Sequence, residues 1–186
     1  CMLIQAQEQA QAQTKAQAQA QTQSQPQQSF PYPALPDTLR SVEQRAGYLS
    51  EHYWDNYNFA DTLMLKSEEV TEQGFVNFID ILGRFNPAIA QKGIAGFTRK
   101  AFTNAVAKER FESLIEHYFE NPQSPLRNDR VYLLFLEEMK NSPCFDEAEK
   151  ERLAFKIKTT NKNLPGDIAI NFNFKDENGK SHQLSD

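Results

Sequence analysis

Glu109, Glu112, Glu116 and Glu120 recur at helical spacing along one flank of a single segment, and carboxylates so arranged either grip a cation or form a solvated edge. Gripping a cation requires inward-facing partners on other helices. The histidines, His52, His117 and His182, do not supply that pattern. A zinc helix reads H-E-x-x-H and a di-iron bundle reads Glu-x-x-His, whereas Leu49 and Leu114 stand three before His52 and His117. The sequence contains no Gly-rich phosphate loop, Ser/His/Asp set or nucleophile elbow. Cys144, in the segment SPCFDE, has no metal or redox spacing to Cys1 and reads as a half-buried residue or a free thiol. The sequence thus implies no metal, no cofactor and no catalytic residue. An enzyme built on the carboxylates would need acids converging on one pocket.

The densest aromatic patch is His52-Tyr53-Trp54-Asp55-Asn56-Tyr57-Asn58-Phe59, at a helix end where the chain turns toward Asp61. Aromatics interleaved with Asp and Asn line pockets and partner surfaces, and they also anchor helix-to-loop corners. Trp54, Asp55 and Tyr57 are the candidate partner or ligand surface. A stand-alone binding protein with a pocket around Trp54 is the alternative function that this patch supports.

These residues need a scaffold, and the 186-residue chain can build one: 39% apolar content with 14 Phe and 6 Tyr suffices for a packed core. A net charge of -5 argues against a nucleic-acid surface, which needs clustered Lys and Arg. Residues 5–28 are a low-complexity Gln/Ala tract that buries too little to order itself, and so form a tether. At the start, two readings stay open. Cys1 is either the lipid-carrying first residue of a mature lipoprotein, or Cys1 to Ile4 is the tail of a signal peptide's apolar region. The apolar Met2, Leu3 and Ile4 favour the second. Both imply export to the periplasm or the outer-membrane-associated envelope, with membrane contact only through a lipid anchor.

Phe30 to Pro36 (FPYPALP) is expected to lie extended across a helical body. Asp37 is then expected to cap a helix burying Leu39, Val42, Ala46, Leu49 and Tyr53. A second helix should open at Ser67, with Glu68 and Glu69 in its first turn, and bury Val70, Phe75, Phe78, Ile79 and Leu82. Short helices are expected from Pro87 to Gly93 and from Gly96 to Glu120. Asp129 to Lys140, apolar around much of its circumference, reads as the central helix. Asp146 to Lys158 follows, with Ala148, Leu153, Phe155 and Ile157 as its apolar set. Short connections imply a compact antiparallel array, mainly α. The closing stretch alternates through Ile168, Ile170, Phe172 and Phe174, turns at Asn178-Gly179, and resumes through His182 and Leu184, which is a β-hairpin. Without further sheet, such a hairpin is poorly supported and either loosely ordered or leaning on the helices.

That hairpin resembles the opening of thioredoxin-like domains of the thiol-disulfide interchange and peroxiredoxin kind. Gly166, Ala169, Phe172, Phe174, Asp176, Gly179, Lys180, Leu184, Ser185 and Asp186 match, while Ile170 and Asn171 stand where that family has Pro and Asp. Independently, Trp54-Asp55, Phe59, Asp61-Thr62 and Glu72-Gln73-Gly74-Phe75 resemble a helical domain of unknown function that precedes thioredoxin-like domains in exported envelope proteins. The resemblance implies three parts: 1–29 as leader and tether, 30–163 as a helical accessory domain, and 164–186 as an incomplete thioredoxin-like domain. In that context the expected role is a non-catalytic accessory module that positions a substrate or partner near the thiol site or restricts access to it, the partner being a protein or the following thioredoxin-like domain. It brings no catalytic residue, and C-x-x-C is absent.

Overall fold

The computed structural model describes residues 29–162, 164, 166–168 and 171–185. The leader and tether, Cys1 included, lie outside them, as do Ala169, Ile170 and Asp186 of the closing stretch.

The body is a mainly α array of α1 (Val42–His52), α2 (Thr62–Lys66), α3 (Gln73–Arg84), α4 (Pro87–Ala101), α5 (Ala105–Phe119), α6 (Asp129–Asn141) and α7 (Glu147–Thr160). A π-helical turn, Glu68–Glu72, leads into α3. Side chains that satisfy the first orphan amides set the helix starts. Asn86, Asn104 and Asn128 cap α4, α5 and α6, and Asp146 forms a capping box with Glu149 on α7. The cap of α1 is Ser41, in a capping box with Gln44, and not Asp37, which sits in an exposed turn closed by the Leu39 amide on the Pro36 carbonyl. Val42 is then the first helical residue and is exposed, while Ala46, Ser50 and Tyr53 face inward and Leu49 packs against the core. As expected, Ser67 opens the second run, but as a π-turn that buries both Val70 and Thr71. Between these runs lies the short helix α2, capped by the Asp61 carboxylate on the Leu63 and Met64 amides.

The largest departure lies between α4 and α5. Gly93 and Gly96 do not end a helix; α4 runs through both to Ala101, and the break falls at Phe102 to Asn104. Gly93 is where α1 crosses: a Cβ there would lie 2.1 Å from Ser50 Oγ and 3.0 Å from the Ser50 carbonyl oxygen. The glycine is therefore a packing residue and not a terminator. Helix α4 touches α1, α3, α5 and α6, while α6, the expected central helix, touches α3, α4, α5 and α7, so the two share the centre of the array. Helix α6 buries one face, Val131, Tyr132, Phe135, Leu136 and Met139, and is flanked by α7. On α7 only Leu153 is buried, while Ala148 and Phe155 face solvent.

The hairpin pairs β1 (Asn173–Lys175) with β2 (Ser181–Gln183) antiparallel, Phe174 opposite His182. Its turn is a three-residue loop with Gly179 at φ +78°, the left-handed geometry that favours glycine. The Asp176 carboxylate accepts from the Asn178 and Lys180 amides and locks that loop.

Candidate functional site

The aromatic patch forms the corner between α1 and α2. Three short backbone turns, at Asp55, Tyr57 and Asp61, reverse the chain and drive Trp54 inward. Trp54 is 2% exposed, with the Phe30, Tyr57, Phe78, Phe97 and Phe111 ring centroids 5.1 to 5.6 Å away. Tyr53 Oη donates to the Gly74 carbonyl at 2.9 Å. Thr71 spends its single hydroxyl proton on the Met64 carbonyl, so Tyr57 Oη is the donor to Thr71 Oγ1. Burial pushes both phenols up, keeping them neutral donors. Trp54 Nε1 is buried without a hydrogen-bond acceptor among the described residues, a cost offset by the large area that the indole buries. Trp54 and Tyr57 are thus interior. The cluster is filled by its own rings and lends no support to a ligand pocket around Trp54.

Asp55 is the member of the trio that reaches solvent. It lies in a cleft of about 540 Å³ between the end of α1 and the outer face of α4, with Glu51, His52, Lys92, Arg99 and Lys100. His52 Nδ1 is 2.7 Å from Asp55 Oδ2, Lys100 Nζ donates to Asp55 Oδ1, and Lys92 Nζ is 3.4 Å from Glu51 Oε1. The hydrogen bond from Lys100 holds the Asp55 carboxyl below its ordinary value against a smaller opposing effect of burial, with His52 adding to it. An Asp–His pair orients an imidazole, but no Ser, Thr or Cys lines this cleft to act as a nucleophile. The arrangement suits polar contact and not covalent chemistry. Arg99 carries its charge on the cleft rim, a feature that sequence pattern alone does not single out.

Glu109, Glu112 and Glu116 face a groove of about 420 Å³ between α5 and α7, floored by Ile115, Leu136, Met139 and Leu153, and Glu120 lies outside it. Here tertiary structure supplies counter-charges. Lys156 Nζ lies 2.8 Å from Glu116 and 2.7 Å from Glu120, and Lys108 lies 2.8 Å from Glu149. Burial pushes the Glu112 carboxyl up. Among the described residues no group of three or more His, Cys, Asp or Glu is placed to hold a metal ion. Cys144 is an exposed free thiol whose carbonyl accepts from Lys108 Nζ at 3.0 Å. His117 is exposed on α5 and His182 lies on the hairpin, 3.1 Å from Asp176, so the histidines do not converge.

Beyond α7 the chain is pinned at two points before the hairpin. Leu164 is 7% exposed, and Arg130 Nη2 bonds Asp167 Oδ1 at 2.9 Å. Past them Ile168, Phe172, Phe174 and Leu184 are exposed.

An all-helical body followed by an exposed hairpin defines the class: a mainly α domain with a C-terminal two-stranded antiparallel β-hairpin. The chain belongs to the family described as Domain of unknown function (DUF5106), whose profile matches residues 4–163. A crystal structure of a thioredoxin-like protein from Bacteroides caccae ATCC 43185 is similar, with 36% identity and a TM-score of 0.74. The match covers 84% of this chain and 57% of that protein, so the chain spans little more than half of its length. No curated protein matches. A helical domain of unknown function with a thioredoxin-like relative is what the residues Trp54 to Phe75 and the hairpin imply by resemblance.

Proposed function

We infer that this chain is the non-catalytic N-terminal accessory part of an exported thioredoxin-like thiol-disulfide oxidoreductase. The helical body, residues 30–163, would position a protein substrate or partner near the thiol site, and residues 164–186 would begin the thioredoxin-like domain. The observation that carries this reading is the hairpin. Its exposed Phe172, Phe174 and Leu184 are aromatic and aliphatic side chains that a larger sheet or a covering helix would bury, and the similar protein is thioredoxin-like. The 5–28 tract would set the distance of the body from a membrane or cell-wall anchor. None of the helical residues is assigned a chemical step.

Two experiments test it. The reading frame after Asp186 is expected to continue into a thioredoxin-like sequence with C-x-x-C or a peroxiredoxin-type cysteine, and a frame without one overturns the association. In the full-length protein, deleting 30–163 is expected to spare reduction of a small soluble disulfide. The same deletion should slow reduction of a disulfide-bonded protein at least about tenfold, the scale of a lost effective-concentration gain. Equal effects on both substrates overturn the positioning role.

A further inference from the structure

Where the chain leaves the helical body, a groove of about 340 Å³ opens between the α3–α4 corner and α6. Its walls are Leu82, Phe85, Pro87, Ala90, Val131 and Leu134, with Asn128, Arg130 and Glu137 as its polar lining. Leu164 already occupies one end of it, buried yet outside the main core cluster. Just beyond, Gly166 turns the chain at φ +89° and Asp167 meets Arg130 of α6. The body thus holds the exit segment by a plug, a turn and an ion pair. The rest of the groove is open and mostly apolar.

We propose that this groove is the docking seat for the thioredoxin-like domain that the hairpin begins, with Leu164 as the first residue of the interface. The inference rests on the proposed function and adds where the two domains meet. Three observations select this occupant. The groove is continuous with the Leu164 contact, so a neighbour on the same chain reaches it first. The segment between Leu164 and β1 is eight residues, 165–172, and a link of that length gives millimolar effective concentration, enough to fill an apolar seat through modest contacts. Within that link Ile168 and Phe172 are exposed, apolar surface of the kind that such a seat complements. The occupant is an apolar patch of the following domain, with a donor beside it to meet Glu137.

The test uses the full-length protein. Pro87→Glu places an acid at the start of α4, and Gly83→Lys places a base near the end of α3; each suits its helix dipole, and each puts a charge in the groove. A Cβ at Gly83 meets only Asn128 Nδ2, at 3.5 Å, so the body tolerates the change. Expected are unchanged helical circular dichroism, protease cleavage within 163–167 faster by at least about tenfold, and a larger radius of gyration. Leu164→Ala is expected to do the same. If the charged variants leave cleavage and dimensions unchanged, docking is overturned. Linker protection that rises with protein concentration overturns it too, since a second copy is then the occupant. A reading frame with no thioredoxin-like domain overturns the proposed function as well, which separates the two failures.

Discussion

The Phe30 ring lies directly on Gly74: a Cβ built at that glycine would fall 2.2 Å from Phe30 Cδ2 and 2.5 Å from Cε2. The extended segment before α1 is held to the body through this socket, through Tyr53, Trp54 and Tyr57 around the ring, and through Asn77 donating to Tyr32 Oη at 2.8 Å.

In a free helix Gly74→Ala would gain about 1 kcal/mol of helix propensity. Here the overlap with Phe30 dominates, and the substitution is expected to destabilise the body by about 1–3 kcal/mol. In a Phe30→Ala background the same change is expected to become neutral or stabilising. A double-mutant cycle by urea unfolding checks the reversal, and additive effects would show that Phe30 does not occupy this socket.

Burial pushes the Glu112 carboxyl above its ordinary value of 4.5, Lys108 opposes this, and Glu149 and Glu116 add to it. The folded protein therefore keeps this proton to higher pH than the unfolded chain does. Stability is lost as pH rises from the unfolded value through the folded one, and the cost is complete above both. Glu112→Gln is expected to be more stable than the parent at neutral pH and equal to it well below 4.5. Urea midpoints at the two pH values measure this, and a neutral-pH loss contradicts it.

Asp55 has the opposite sign. Its carboxyl is held below the ordinary 3.8 chiefly by Lys100, so its contribution is present above that value and lost as pH falls through the folded one. Because the pair is exposed, Asp55→Asn is expected to cost no more than about 1 kcal/mol at neutral pH. The difference should shrink with added salt and vanish in acid. A cost that persists in acid would mean that Asp55 matters through packing.

On α7, Leu153 and Phe155 exchange the weights that their hydrophobicity suggests. Leu153→Ala is expected to cost about 2–4 kcal/mol, because it empties a buried site. Phe155→Ser should stay within about 0.5 kcal/mol, since the ring is 70% exposed. Thermal unfolding of both variants decides between this ranking and one that follows side-chain size.

Local chemistry was legible where it acts over one helical turn. Ser67, Asp146, Asn86-Pro87 and Asn178-Gly179 each mark a boundary found in the structure, because a cap or turn depends on neighbours three or four residues away. Asp37 misled because two acceptable caps stand four residues apart, and the Gln44 side chain that completes the box favours Ser41. Gly93 and Gly96 misled because a glycine that ends a helix and a glycine that admits a crossing helix look alike in one dimension.

The chain's own pattern therefore determined the mainly helical body, the closing hairpin and, through Trp54-Asp55 to Phe75, the family. Tertiary structure alone decided what those residues do. It turned Trp54 and Tyr57 into the core and left Asp55 at the surface, it gave Glu116 and Glu120 a shared lysine from α7, and it seated Leu164 in a groove between helices distant in sequence. The physical reason is range. Capping, periodicity and turn formation are set by short-range backbone geometry, whereas burial, charge pairing and grooves depend on which helices meet, and that depends on small residues such as Gly74 and Gly93 whose partners lie elsewhere in the chain.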